Sequence, residues 1–482
     1  MTIPSKYIEY EEKMIKKHQN SVNNFKLICN DNSALKSLKF LNNFNLKELV
    51  ISNCINIVID LENDTITKLN IESSQLNSVK GIQNIKSIET LNLTRNMIED
   101  ISSLKNMCLL QNLILKNNQI SDISVLKTLK QLQTLDLTGN QDIHIALLQD
   151  MTQLLSLNLS NLKITNITVI KSLVNLVDLN ISYNPGIDIS PVEELTNLKI
   201  LTAKQNGLKE VKVLTKLKLV ELTLFQNEKL DISSCHLQKS LNKLDLINCG
   251  LKDISKLQNL QNLQELRISM NQLDNILLLQ KMINMTSLEM SSCQIKDISV
   301  LKYLKQLQYL DLCSNEITDI SPLQYSQMLS ELDISENNIR SIYILKKLFN
   351  LKVINISDND ITNIQALQHM TQLTELIASG NYILDISCIE CHKYFTEYMI
   401  FDQKTSPTAD QIQFSNIIDK IYCVNEQHKL FNKKKSEFIT MQQLKNIITT
   451  QLVLQNTNHV QFMFRINCLF DKLNANNCPE YQ

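Results

Sequence analysis

The strongest chemical motif in this 482-residue chain is Cys388-Ile389-Glu390-Cys391-His392, which has the spacing of covalent c-type haem attachment. Its two thiols and imidazole could equally offer themselves to zinc. Haem attachment also needs a distal ligand and a suitable compartment, and neither is indicated. Ile389, moreover, already fills an apolar position of the periodic pattern described below, so the stretch reads as an ordinary loop. The basic run Lys433, Lys434 and Lys435 has fewer charges than a typical basic patch and reads as a solvated segment. There is no phosphate-binding glycine loop, dinucleotide fingerprint, HExxH helix, nucleophile elbow or kinase signature, and the seven histidines are dispersed. The expectation is therefore no catalytic residues, no cofactor and no metal: not an enzyme.

Composition narrows the field further. Lys and Arg number 48 against 49 Asp and Glu, a formal charge of -1 that gives no push toward nucleic acid or an anionic membrane. With 43% hydrophobic residues, only 6 Gly and 6 Pro, and no Trp, the chain can bury a large core and is neither disordered nor a glycine-rich fibre. The N-terminal stretch MTIPSKYIEYEEKMIKKHQN lacks the apolar core of a signal peptide, and no run has the length of a membrane span. The 12 cysteines are scattered, unlike the dense framework of a small secreted domain. A cytoplasmic location is expected, with a nuclear one left open by the lysine run.

The elements that would position any site come from a repeat. A central leucine in the pattern L-x-x-L-x-L-x-x-N recurs at Leu49, Leu69, Leu91, Leu113, Leu135, Leu157, Leu179, Leu201, Leu222, Leu244, Leu266, Leu288, Leu310, Leu332, Ile354 and Leu376. Thirteen of the fifteen intervals are 22 residues, one is 20 and one is 21. Degenerate units at Leu27, Cys29 and Asn32 and at Tyr398, Ile400 and Gln403 keep the step, as terminal repeats should. Within LQYLDLCSNEITDISPL, Leu310 and Leu312 alternate as a strand does, Asn315 turns the chain, and Ile317, Ile320 and Leu323 bring it back along the other side. Stacked asparagines are expected to form a buried ladder that satisfies backbone groups at the bend. Asn fills that position in eleven units, Cys54, Cys249 and Cys293 in three more, and Ser74 and Leu162 are the exceptions.

These units resemble leucine-rich repeats of the 22-residue subclass shared by phosphatase-regulator-type proteins and internalins. The tails IEDISSL (98 to 104), ISDISVL (120 to 126), IKDISVL (295 to 301) and ITDISPL (317 to 323) carry the likeness, which covers roughly residues 25 to 403. The resemblance implies an α/β solenoid: a horseshoe with a parallel sheet on its concave side, short helical or 3₁₀ segments outside, and a sheet arc on the order of 75 Å at about 4.8 Å per strand. Residues 1 to 24 are expected to form an N-terminal helical cap, with Tyr7, Ile8, Met14 and Ile15 on one side of a helix over 5 to 20. The tail from 404 to 482 opens with the helix-start signal Ser406-Pro407 and carries three apolar groups, so it reads as a helical cap or accessory domain.

Partner binding in such an architecture uses the strand positions that point away from the core. In units one to eight these hold four acids (Glu48, Glu72, Asp136, Asp178) and four bases (Lys68, Arg95, Lys116, Lys204). In units nine to sixteen the acids are Glu221, Asp245, Glu265, Glu289, Asp311, Glu331, Asp333, Glu336, Asp358 and Glu375, against Lys243 and Arg267 alone. Solubility would explain such carboxylates without any partner. Tyr183, Phe225, Ile247, Met270 and Tyr309 on the same face favour a docking surface, because aromatic anchors beside charges mark binding hot spots. The candidate contact residues are Tyr183, Phe225, Asp245, Arg267, Met270, Glu289, Tyr309, Asp311, Glu331 and Asp333. The expected function is a non-catalytic interaction scaffold for a protein partner with a basic surface. Alternatives are a regulatory or targeting subunit of a protein phosphatase, implied by the resemblance, and a component of a cytoskeletal or ciliary assembly.

Overall fold

A computed structural model of the chain describes residues 2–4, 23–28, 37–55, 57–140, 142–389, 397–400 and 403. Most of the proposed N-terminal cap and all of the tail from 404 onward lie outside the described residues. The chain divides into two compact units, Met1–Asp333 and Ile334–Gln482.

The described residues of the first unit form sixteen strands, each parallel to the next in chain order. They are β1 (Thr2–Pro4), β2 (Asn24–Ile28), β3 (Glu48–Ser52), β4 (Lys68–Glu72), β5 (Thr90–Asn92), β6 (Asn112–Ile114), β7 (Thr134–Asp136), β8 (Ser156–Asn158), β9 (Asp178–Asn180), β10 (Ile200–Thr202), β11 (Glu221–Thr223), β12 (Lys243–Asp245), β13 (Glu265–Arg267), β14 (Ser287–Glu289), β15 (Tyr309–Asp311) and β16 (Glu331–Asp333). The second unit adds β17 (Val353–Asn355), β18 (Glu375–Ile377) and β19 (Glu397–Met399), again parallel. From β5 to β18 each strand buries its middle leucine or isoleucine, and its flanking residues, the buried Asp245 apart, face outward, as a two-residue side-chain period requires. The return segments are 3₁₀ turns such as Ser299–Tyr303 and Ser321–Tyr325, and no α-helix occurs among the described residues.

The two sequence signatures acquire structural causes. Asn315 is buried; its Nδ2 donates to the carbonyls of Leu312 (2.9 Å) and, one unit back, Met290 (2.8 Å), while its Oδ1 accepts the N–H groups of Cys293 and Ile295, both at 3.0 Å. Such buried amides satisfy backbone groups that would otherwise be stranded between units. Cys249 and Cys293 replace part of this bond, each thiol donating to the carbonyl one unit back, Leu224 (3.2 Å) and Ile268 (3.3 Å). In the second unit Gln403 takes over the role at the degenerate end: its Oε1 accepts Ile383 N–H at 2.8 Å and its Nε2 donates to Ala378 at 2.9 Å.

The D-I-S tail is a local turn. Asp319 Oδ1 accepts the N–H of Ser321 at 2.8 Å and Oδ2 accepts its hydroxyl at 2.9 Å, starting the 3₁₀ turn that follows. The same bond to the N–H two residues on recurs at Asp100, Asp122, Asp188, Asp253 and Asp297.

Candidate functional site

Strand register in the first unit lays out two rows on the open face of the sheet. Glu221, Lys243, Glu265, Ser287, Tyr309 and Glu331 stand side by side in one row across β11 to β16. Thr223, Asp245, Arg267, Glu289, Asp311 and Asp333 form the other. Neighbours within a row sit about 4.8 Å apart by strand spacing, close enough for charges to act on one another directly.

Both cations of these rows are already engaged. Lys243 Nζ lies 3.4 Å from Glu265, and Arg267 bridges the strands on either side of it, with Nε 2.8 Å from Glu289 Oε2 and Nη1 3.4 Å from Asp245 Oδ2. Burial opposes the Arg267 charge, but the hydrogen bond and charge of Glu289, joined by Asp245, outweigh it and raise its pKa. The rows of β14 to β16 contain no Lys or Arg, so Tyr309 stands among Glu289, Asp311, Glu331 and Asp333. Burial, reinforced by the negative charges of Asp333 and Glu289, holds the Asp311 carboxyl above the usual carboxylate range. The Tyr309 phenol is pushed up to about 12, first by burial and then by Asp311, Glu289, Asp333 and Glu331. A group that lowers this negative potential, such as a guanidinium or ammonium, would be stabilised there.

The residues singled out in sequence separate into three kinds. Glu289, Tyr309, Asp311, Glu331 and Asp333 come together, with Arg267 and the buried Asp245 beside them and half-buried Phe225 following β11. Tyr183 and Met270 are exposed, at 44% and 55%, but they are turn residues in the left-handed region (φ 61° and 59°) and not strand positions. The same turn position has positive φ in Arg95, Asn117, Asn161, Asn248 and Gly139, so in Tyr183 and Met270 it is held against its intrinsic cost. Ile247 corrects the sequence reading, being 8% exposed rather than open to a partner. Its position closes onto the neighbouring unit, where small residues such as Ser182 and Ser269 are buried and accept the N–H groups of Lys204 (3.0 Å) and Ser291 (2.9 Å).

The row containing Asp245 and Asp311 also has a local role that the sequence reading missed. Asp311 Oδ1 accepts the N–H of Cys313 at 2.9 Å and Asp245 Oδ1 that of Ile247 at 3.1 Å. Asn92, Asp136, Asn158 and Asn180 do the same at their own strand ends. The signal was present in the recurrence of Asn and Asp one residue after the central leucine. One carboxylate oxygen of each therefore serves the turn.

Burial pushes the thiols of Cys235 up to about 12 and of Cys249 and Cys293 up to about 11, so they stay protonated and unreactive at neutral pH. Cys54 is disulfide-bonded. Cys388 is buried with its thiol donating to Ile364 at 3.4 Å, while Glu390, Cys391 and His392 lie outside the described residues. Among the described residues no group of three or more His, Cys, Asp or Glu is arranged to hold a metal, and no helix is long and apolar enough to cross a membrane.

Comparison with known proteins agrees with the repeat and the sheet. The family model for leucine-rich repeats (2 copies) matches residues 108–146 and 283–325. Among solved structures, the functional domain of InlJ from Listeria monocytogenes, which includes a cysteine ladder, is 21% identical with a TM-score of 0.51, covering 68% of this chain and 70% of that one. TLR13 in complex with ssRNA13 is 19% identical with a TM-score of 0.55, covering 77% of this chain and 69% of that one. An internalin, InlF, from Listeria monocytogenes is 27% identical over 71% of this chain and 88% of that one, with a TM-score of 0.45. No curated protein matches the chain. The stacked parallel strands and the asparagine ladder, with the two stretches that the family model matches, define a leucine-rich repeat fold. Proteins of this class are typically interaction scaffolds and not enzymes.

Proposed function

We propose that this protein is a non-catalytic scaffold that docks a protein partner with a basic surface on the open face of β11 to β16. One observation carries the reading: in these rows the two cations are engaged by Glu265, Asp245 and Glu289, and the stretch from β14 to β16 presents carboxylates around an aromatic ring with no basic residue in either row. An arginine or lysine from a partner would meet Tyr309 as an apolar and π-rich floor and Asp311, Glu331 and Asp333 as counter-charges. Half-buried Phe225 supplies a second anchor on the same face.

The reading is tested by affinity purification of the full chain with mass spectrometry, followed by titration calorimetry of the recovered partner against Tyr309→Ala and Phe225→Ala. Weakened binding with an unchanged melting temperature supports it. A large stability loss with unchanged affinity would sink it. Recovery of a phosphatase catalytic subunit or of tubulin-associated proteins would assign the process.

A further inference from the structure

Two units depart from the 22-residue step, and in both a buried side-chain amide stitches the gap. In the unit from Leu201 to Leu222 the missing residue falls between Leu217 and Leu219. In regular units the residue closing the 3₁₀ turn has ψ of 75° (Leu129) or 66° (Leu195), and the next leucine's N–H returns to it, Leu132 to Leu129 at 3.1 Å and Leu198 to Leu195 at 2.9 Å. Leu217 is extended instead, with ψ 163°, and the N–H of Leu219 donates to Gln238 Oε1 of the following unit at 3.4 Å. Gln238 is 2% exposed and its Nε2 donates to the carbonyl of Leu214, although the equivalent residues on either side, Leu217 and Leu260, are apolar. Asn63 does comparable work in the 20-residue unit from Leu49 to Leu69, donating to the carbonyls of Leu41 and Phe44 at 2.9 and 2.8 Å. A glutamine buried in an apolar row is costly unless both ends are bonded, so its presence at the short unit is a compensation.

Two further features coincide with this position. On the turn side, a cleft of about 740 Å³ opens among three successive turns, lined by Glu210, Lys212, Asp231, His236, Lys256 and Gln258. On the sheet side, the open face changes character at the same unit. The strand residues from β3 to β10 carry five charges, Glu48, Lys68, Glu72, Asp136 and Asp178, whereas those from β11 to β16 carry nine, Glu221, Asp245, Glu265, Glu289, Asp311, Glu331 and Asp333 against Lys243 and Arg267.

We infer that the unit from Leu201 to Leu222 is a joint, at which the repeat array opens ahead of its neighbours and which divides the open face into two independently mobile binding surfaces. Repeat arrays are held by nearest-neighbour interfaces, so one weak interface sets a boundary between cooperative blocks. Here a backbone closing bond within the turn has been exchanged for one to a side chain of the next unit. The densely charged block that follows can then adjust to a partner without disturbing the sparsely charged block that precedes it.

Hydrogen–deuterium exchange of the full chain, read by mass spectrometry at neutral pH, tests the joint without any partner. Amides of 214–222 and 235–241 should exchange about tenfold faster than their equivalents at 192–201 and 257–263. Gln238→Leu strands the Leu219 N–H and should speed local exchange by roughly another tenfold. Adding one residue after Leu217 to Gln238→Leu should restore the protection of a regular unit. Equal protection across all four segments in the unaltered chain would overturn the joint, and so would a Gln238→Leu variant with no local change. Should that variant fail to fold, the exchange pattern of the unaltered chain decides alone.

Discussion

Asp311 on the open face of the sheet and Asp100 on the turn side make the same local bond. Each accepts the N–H two residues ahead, Cys313 at 2.9 Å and Ser102 at 2.7 Å. Their acidities nevertheless move in opposite directions. The bonds from the Ser102 backbone and hydroxyl hold Asp100 below the usual carboxylate range, whereas burial and the neighbouring charges of Asp333 and Glu289 hold Asp311 above it. The bond sets the geometry and the surroundings set the energy of the charge. A turn-side aspartate is thus a finished structural device, while a sheet-face aspartate also keeps a negative charge that a cation would relieve.

The largest expected effect concerns the ion pairs of the two sides. Arg267→Met takes the ion-pair partner from Asp245, whose side chain is 9% exposed, and from Glu289, and should cost about 2 to 3 kcal/mol in denaturant unfolding at pH 7. The loss should shrink under mild acid, because burial has already raised the Asp245 pKa and protonation removes the stranded charge. Glu193→Gln breaks the Lys216–Glu193 pair on the turn side, where Lys216 is 69% exposed, and should leave stability almost unchanged because solvent screens the pair. Equal losses would break the contrast between the sides.

The next effect is smaller and has opposite signs. Asp100→Ala removes the turn acceptor and should cost about 1 kcal/mol at pH 7. Because the folded pKa is lowered, that contribution is present above about pH 4, the unfolded carboxylate value, and is lost as pH falls through the folded pKa. Asp311→Asn keeps an oxygen for the Cys313 N–H and deletes the charge. Its folded pKa is raised, so the charge costs stability at neutral pH and the cost fades as pH falls through that raised value. The variant should match or exceed the parent by up to about 1 kcal/mol at pH 7 and equal it near pH 4, as urea titrations at both values would show. Destabilisation by Asp311→Asn at pH 7 would contradict the reading of a repulsive cluster.

The smallest effect is spectroscopic. Ultraviolet titration should find Tyr309 ionising near 12, and Asp311→Asn should bring it part of the way down, since burial remains. Tyr343 on the turn side, held below the usual tyrosine value by the hydrogen bond and charge of Lys346, should ionise early and not respond to that substitution. A shift of both tyrosines would mean that the two sides are not electrically separate.

Much of this was legible in the residues. The leucine step placed the strands, and the Asn positions predicted a ladder that Asn315 forms with carbonyls 3 and 25 residues back. The D-I-S tails were visible as a signature, but their purpose emerged only when Asp319 was seen to hold both the N–H and the hydroxyl of Ser321. Outward position was inferred from strand alternation, which fails just beyond a three-residue strand. Ile247 and Tyr183 lie there, one folded onto the next unit and the other carried round a left-handed turn. Gln238 gave no warning, because its partners Leu214 and Leu219 are 24 and 19 residues away.

The amino-acid sequence alone determined the repeat, the identity of the buried positions and the sign of charge on the later strands, because each is a matter of residue type recurring at a fixed step. Tertiary structure decided how those charges meet one another. Strand register sets Arg267 between Asp245 and Glu289 and leaves Tyr309 among carboxylates, and desolvation raises the energy of Asp311 in a way that no spacing reveals. Charge is a property of a residue, but its energy belongs to the neighbours that the stacked units bring beside it.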